Sequence, residues 1–224
     1  QAMKFNPGFL KLFDEIVSNS ADEHRRNSKL NRIDVTASIK TGEISIRDNG
    51  GIPVVKHSKH DEWVPEMIFS NLKAGSNFDD SEARLVAGTN GVGATLTNIF
   101  SLEFTINTCD GKKEFLQTFN DNMRKRAEPQ VTKNKSKGFT QITYKPDYKQ
   151  FGMASLDEDH IQMMRKRCAD LAACNPLLKV YFNGKRFSYP SFAAYCRLYV
   201  DDVVYEASER WRIAIGPSAG SLQQ

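Results

Sequence analysis

Gly88-Thr89-Asn90-Gly91-Val92-Gly93-Ala94 leads straight into the apolar run Leu96 to Phe100. Glycines at three of six successive positions let a backbone approach a ligand and reach positive φ without a Cβ clash. A helix opening immediately afterwards points free N–H groups and a positive dipole end at whatever sits there. In physical terms that is a phosphate site. Glycine loops are common, so the stretch is weak evidence alone. It gains force from two polar constellations upstream, which stand in a consistent order. The loop has no Gly-Lys-Ser/Thr and no tight strand-to-helix turn before it, so it is neither a Walker A loop nor a Rossmann fingerprint.

The first constellation is Glu15, Asn19 and Asp22, which share one helix face at i, i+4 and i+7. Three polar residues alone fit a solvated helix face. They also fit a carboxylate that orients a water, beside an amide oxygen that completes a metal shell; nucleotide-bound Mg²⁺ takes only one or two protein ligands. The second is Asp48-Asn49-Gly50-Gly51-Ile52-Pro53. Its bland reading is an Asn-Gly turn. Its functional reading is a strand-end carboxylate that accepts from an exocyclic amine, with glycines that let a flat ring lie close and Ile52 as an apolar face.

The surrounding pattern predicts an α+β domain with helices on one face of a mixed, mostly antiparallel sheet. Phe9, Leu10, Phe13, Ile16, Val17 and Ala21 recur at helical spacing from Pro7 to about Arg26. Ile33–Ile39 and Ile44–Arg47 read as a hairpin about Thr41-Gly42. Pro53 to about Ala87 reads as a long ordered loop with a short helix near Val64–Leu72, a length usually found in functional lids. A helix follows Gly93 to about Phe100. Strands are expected at Leu102–Thr108, Glu114–Asn120, Phe139–Tyr144, Leu178–Phe182 and Arg210–Ile215. Lys125 to Lys137 reads as a basic, mobile excursion. Asp157 caps a helix to Ala173, with Ile161, Met164, Cys168 and Leu171 on one face.

Composition narrows the classes. The chain has 224 residues, 40% apolar and 26% charged, which suits one generous globular domain or one plus part of another. No apolar run approaches the ~18–20 residues that span a bilayer, and Gln1-Ala2-Met3-Lys4 opens no signal peptide. A net charge of +4 does not by itself argue for nucleic acid. Cys109, Cys168, Cys174 and Cys196 are scattered without metal spacing and suit reduced thiols in a cytosolic protein. The densest basic run, Arg124-Lys125-Arg126, followed by Lys133, Lys135 and Lys137, reads first as a solvated loop; weak contact with DNA phosphates needs only mobile cations. Trp63 and Trp211 read as core residues.

Taken together, Glu15…Asn19, the Asp48 to Pro53 stretch and Gly88 to Gly93 resemble the three boxes of the GHKL (Bergerat-fold) ATPases. Phe13 to Asp22, Lys73 to Asp80 and Gly91 to Ser101 are similar, more narrowly, to type IIA DNA topoisomerases, with Ser76 to Asp80 and Asn98 to Ser101 closer to the eukaryotic and T-even-phage branch than to bacterial gyrase. The resemblance covers nearly the whole chain. It implies a GHKL domain over residues 1–200 and the start of a transducer domain over 201–224. It implies ATP and Mg²⁺ as cofactors, with Glu15 as general base and Asn19 as the Mg²⁺ ligand. The nucleotide would be held by Asn19, Asp22, Asp48, Gly51, Ile52, Ser76, Asn77, Gly88, Thr89, Asn90, Gly91, Val92, Gly93, Ala94 and Thr140. Among these, Asp48 would accept from the adenine amine, with Thr140 supporting it through a water. Partners implied are DNA through the full-length enzyme, further topoisomerase domains or subunits, and a second ATPase region in a homodimer that closes a gate. No membrane is implied, and the setting is intracellular: host cytoplasm for a viral enzyme, nucleus for a eukaryotic one. The chain itself is expected to be mostly monomeric and a slow ATPase or none.

Two departures from the family pattern stand out. The second box usually reads Asp-x-Gly-x-Gly, whereas Gly50 and Gly51 are adjacent here, and Gly51 is matched to the second glycine. Thr95 stands where eukaryotic members carry a lysine. Two other readings stay open: a mismatch-repair or chaperone-type GHKL ATPase, and a DNA-binding or scaffold module with a decayed nucleotide pocket. The shortened second box is the sole support for the last, and the intact Glu15 and Asn19 weigh against it.

Overall fold

The computed structural model describes residues 3–58, 61–72, 91–200, 202–208 and 211–217. Helix α1 (Pro7–Arg26) starts where expected. Asn6 caps it by accepting from the Phe9 N–H at 3.0 Å, and Pro7 occupies the first turn, where its missing N–H costs nothing. Its buried stripe is Phe9, Leu12, Phe13, Ile16, Val17, Ser20, Ala21 and Asp22. A hairpin follows, β1 (Arg32–Ser38) and β2 (Glu43–Asp48), then α2 (Val64–Ser70) and α3 (Gly93–Ile99).

Strands β3 (Ser101–Cys109), β4 (Lys113–Asn120), β5 (Lys125–Arg126), β6 (Gln130–Lys133) and β7 (Phe139–Pro146) build the middle and one edge of the sheet. Helix α4 (Glu158–Cys174) is capped by Asp157, whose carboxylate accepts from the His160 N–H at 3.0 Å. Then come β8 (Lys179–Phe182), β9 (Lys185–Phe187), α5 (Phe192–Cys196), β10 (Val204–Ala207) and β11 (Arg212–Ile215).

The main sheet runs β5-β4-β3-β7-β2-β1-β8-β9, with β6 also on β4, and the β10–β11 hairpin stands apart. Of its pairings only β1 with β8 is parallel, so the sheet is mixed and mostly antiparallel. Period-2 alternation buries Ile33, Val35, Ile44, Ile46, Phe104, Ile106, Ile142, Tyr144 and Val180 with the apolar stripes of α1 and α4. The opposite parity carries a polar row: Ser45 and Thr143 hydroxyls meet at 2.8 Å, and Arg47 donates to Gln141 at 2.8 Å.

Three expectations are corrected. Lys125 to Lys137 is not an excursion: β5 and β6 form a broken strand along the edge of β4. Trp211 is 43% exposed rather than core, whereas Trp63 packs against the core. Residues 204–207 form a strand the sequence pattern did not reveal. Met164 and Cys168 are fully buried packing residues, and all four cysteines are free thiols. Among the described residues no helix is long and apolar enough to cross a membrane.

Candidate functional site

Between α1, the ends of β2 and β7, α2 and the start of α3 lies a cavity of about 720 Å³. Eleven of the site residues expected from the sequence line it: Glu15, Asn19, Asp22, Asp48, Gly51, Ile52, Gly91, Val92, Gly93, Ala94 and Thr140. Ser76, Asn77, Gly88, Thr89 and Asn90 lie outside the described residues. The helical spacing of Glu15, Asn19 and Asp22 thus aims one polar face of α1 into a concave space rather than at bulk water. The apolar share of the lining includes Ile16, Leu30, Ile46, Ile52, Met67 and Ile68. Many apolar walls with few convergent polar groups is the usual make-up of a small-molecule site.

Asp48 ends β2 on the helix-facing side and is 7% exposed. One carboxylate oxygen accepts from the Ser20 hydroxyl at 2.7 Å, the other from the Gly50 N–H at 2.9 Å. Burial pushes this carboxyl above the ordinary aspartate value; the Ser20 hydroxyl, then the backbone of Gly50 and Thr140, pull the other way. The register places Thr140 directly opposite Asp48 and Thr108 opposite Thr140, so three polar residues cross the sheet in a row. Thr108 shares a 3.0 Å hydrogen bond with the Thr140 hydroxyl and accepts from the Ile52 N–H at 3.1 Å. That bond fixes the chain just past the two glycines. A Cβ on Gly51 would overlap the Cys109 carbonyl oxygen, so the backbone there packs at a distance only glycine allows.

At the other end of the cavity, Gly91 has φ +60° and Gly93 opens α3. The Cα of Gly93 sits against the Glu15 carboxylate. Glu15 is also paired with Lys11 Nζ at 2.7 Å, one helical turn earlier. The hydrogen bond to Glu15, above all, raises the Lys11 ammonium's pKa against the opposing effect of burial. Thr95 does not face the cavity: it is 1% exposed and its hydroxyl donates to the Asn71 carbonyl at 3.1 Å, tying α3 to the residue that follows α2.

Sequence reading missed Lys11, Ser20 and Thr108. Lys11 was findable as the i,i+4 partner of Glu15. Ser20 was findable as a polar residue in the apolar stripe of α1, since a buried hydroxyl needs a partner. Among the described residues no group of three or more His, Cys, Asp or Glu could hold a metal by itself. Asn19 adds an amide oxygen on the cavity wall, a donor that suits an ion carried in by a phosphorylated ligand.

No family model matches the chain. Curated relatives do: it is 40% identical to DNA topoisomerase 2 of Arabidopsis thaliana over 97% of this chain and 16% of that protein. It is 40% identical to DNA topoisomerase 2 of Acanthamoeba polyphaga mimivirus over 93% of this chain and 17% of that protein. Among solved structures, the ATPase and transducer domains of DNA topoisomerase II from Balamuthia mandrillaris superpose with a TM-score of 0.91 at 41% identity, over 96% of this chain and 57% of that one.

Over nearly its whole length the chain matches the ATPase region of type II DNA topoisomerases.

The ATPase region of Saccharomyces cerevisiae topoisomerase II gives a TM-score of 0.89 at 37% identity over 93% of this chain. The chain spans about a sixth of the length of the curated relatives and somewhat over half of the solved ATPase regions.

Proposed function

We propose that this chain binds ATP in the α1–β2–α3 cavity and hydrolyses its γ-phosphate. The observation that carries the reading is that Glu15, Asn19 and Asp48 converge with Gly91 to Ala94 on one cavity. Asp48 accepts from the adenine amine, Ile52 packs on the ring, and Thr140 supports the carboxylate across the ladder. The backbone N–H groups of the Gly88 to Ala94 stretch receive phosphate oxygens, which stabilises charge in a loose phosphoryl-transfer transition state. Glu15 takes the proton of the attacking water as its oxygen bonds to the γ-phosphorus and the bond to the β-phosphate oxygen breaks. Asn19 would supply its amide oxygen to Mg²⁺, and Asp22 lies on the same helix face. The ion, when bound, neutralises developing phosphate charge.

On this reading the chain serves a longer enzyme that passes one DNA duplex through another. ATP dimerises two such regions to close a gate, and residues 201–224 begin the transducer domain. Supporting this are the eukaryotic and viral relatives and the exposed apolar residues of the β10–β11 hairpin, Val204, Ile213 and Ile215. The test is calorimetric titration with a non-hydrolysable ATP analogue and Mg²⁺. Saturable binding that Asp48→Ala abolishes is expected; binding unchanged in that variant refutes the adenine contact.

A further inference from the structure

Three basic segments flank the outer edge of the sheet, and the structure separates them. Arg124, Lys125 and Arg126, the densest run in the sequence, are committed: the first two pair with Asp121, and Arg126 pairs with Glu62 and Glu66. Lys112, Lys113, Lys133, Lys135 and Lys137 are different. All five are exposed, and among the described residues none has an ion pair within 4 Å.

The fold gathers these five at one end of the β3–β4 hairpin. Lys113 on β4 stands directly opposite Lys133 on β6 in the ladder. Like charges directly opposite across a strand pair are destabilising. The segment after β6 folds back over the hairpin turn: the Asn134 N–H donates to the Lys112 carbonyl at 3.0 Å, and the Asn134 amide donates to Glu114 at 2.6 Å. Ser136 donates its N–H to Asn134 Oδ1 at 2.8 Å and its hydroxyl to Cys109 Sγ at 3.5 Å. Lys135 and Lys137 are therefore carried on a fixed backbone. Two carboxylates lie beside the five ammonium groups and leave the array net positive: Glu114, bonded to Asn134, and Asp110, which accepts the N–H groups of Lys112, Lys113 and Val54 and interacts with the Lys112 charge.

We propose that this lysine platform docks the phosphate backbone of duplex DNA. The proposal rests on the reading above that the chain serves a DNA-handling enzyme, and it names the surface. A one-signed, fixed array of ammonium groups fits a repeating phosphate chain, where binding draws on counterion release. A single strand would need exposed aromatic faces for stacking, whereas Phe115 and Phe139 beside the platform are buried and Trp63 is half-buried, with Lys113 at 5.9 Å from its ring and Lys56 at 6.0 Å on the same ring. A membrane surface would need apolar side chains to insert, and none lies among residues 112–114 or 132–137. The platform also backs onto the nucleotide cavity, because Asp110 binds the Val54 N–H at 3.1 Å and the Cys109 carbonyl abuts Gly51.

The test is fluorescence anisotropy of a labelled DNA duplex titrated with the whole chain at several salt concentrations. The proteins compared are the unaltered chain, the triple variant Lys112→Gln/Lys113→Gln/Lys133→Gln, and the control Arg124→Gln/Lys125→Gln. At low salt the triple variant should bind about tenfold more weakly or worse. Its slope of log affinity against log salt should shrink by about 0.9 per lost phosphate contact. The control should retain the parent affinity and slope. Unchanged affinity and slope in the triple variant overturns the proposal. So does failure of the unaltered chain to bind duplex at low salt, or its preference for a polyglutamate peptide over duplex. Titration of the triple variant with the ATP analogue checks its fold. Loss of analogue binding in the unaltered chain would count against the nucleotide reading, and the duplex titration would still decide this one.

Discussion

Gly93 and Glu15 touch: the first residue of α3 lies with its Cα against the carboxylate of α1, leaving no room for a Cβ. The glycine box and the proposed base are thus parts of one contact, although 78 positions (93 − 15) separate them. Alanine at a helix position normally gains roughly 0.5–1 kcal/mol over glycine. Here that gain is outweighed by overlap with a carboxylate that must move or push α3 away, an overpacking cost of about 1–3 kcal/mol. Gly93→Ala is therefore expected to lower the melting temperature. A base displaced by an ångström loses on the order of a hundredfold in rate, so turnover should fall far more than analogue affinity. Parent-like turnover in a folded Gly93→Ala protein would show that the Glu15 position is not critical.

The Lys11–Glu15 pair leads to the opposite pattern. Its ammonium side chain is 63% exposed, and exposed i,i+4 pairs contribute only about 0.3–0.5 kcal/mol. Arg167 on α4 holds the neighbouring Asp14 at 2.5 Å, leaving Lys11 closer to Glu15 at 2.7 Å than to Asp14 at 3.4 Å. Lys11→Met should leave the melting temperature within about a degree while reducing turnover several-fold, and Lys11→Arg should restore part of it. Steady-state kinetics beside thermal unfolding separates the two effects. Equal loss of stability and turnover would make Lys11 a structural residue only.

Much of this arrangement was legible. The apolar stripe, the start at Pro7 and the i, i+4, i+7 polar face of α1 are local signals, and the structure aims that face into the cavity. What stayed hidden was non-local. β5 and β6 have two and four residues, mostly polar, with no alternation to read; the ladder of β4 pairs their backbones whatever their side chains. Ser20 has no local partner to read, and only the approach of β2 to α1 makes it the partner of Asp48. Lys113 opposite Lys133 depends on register, which a run of scattered lysines does not disclose.

Ser20 carries a pH prediction. Burial raises the Asp48 carboxyl, and the Ser20 hydroxyl is the strongest of the groups that oppose the rise. Ser20→Ala should therefore raise it further. The sign follows: a carboxyl whose folded value exceeds its unfolded value costs the fold nothing below the unfolded value and its full penalty above the folded one. The variant should lose about 1–2 kcal/mol at neutral pH and recover part of that loss on acidification. If an ionised Asp48 is the amine acceptor, as proposed, analogue affinity should begin to fall at a higher pH in Ser20→Ala than in the parent. Calorimetric titrations at a series of pH values read this directly; coincident profiles would remove Ser20 from the role.

The adjacent glycines of the shortened second box can be told apart by substitution. A Cβ on Gly50 would lie 2.8 Å from Leu30 Cδ1, the tip of a side chain that can rotate away, and 3.1 Å from Asp48 Oδ1. A Cβ on Gly51 would overlap the Cys109 carbonyl, a backbone atom held in the β3–β7 ladder. Positive φ is not the reason at either position, since neither is among the left-handed glycines. Gly51→Ala must therefore shift the segment that leads into Ile52 or distort β3, at about 1–3 kcal/mol or more, and should also weaken analogue binding. Gly50→Ala should cost less than half as much and keep most of the affinity. Thermal unfolding and calorimetry on the two variants decide it. The reverse ranking would make Gly50 the counterpart of the family's second glycine and move the ring-facing position back by one residue.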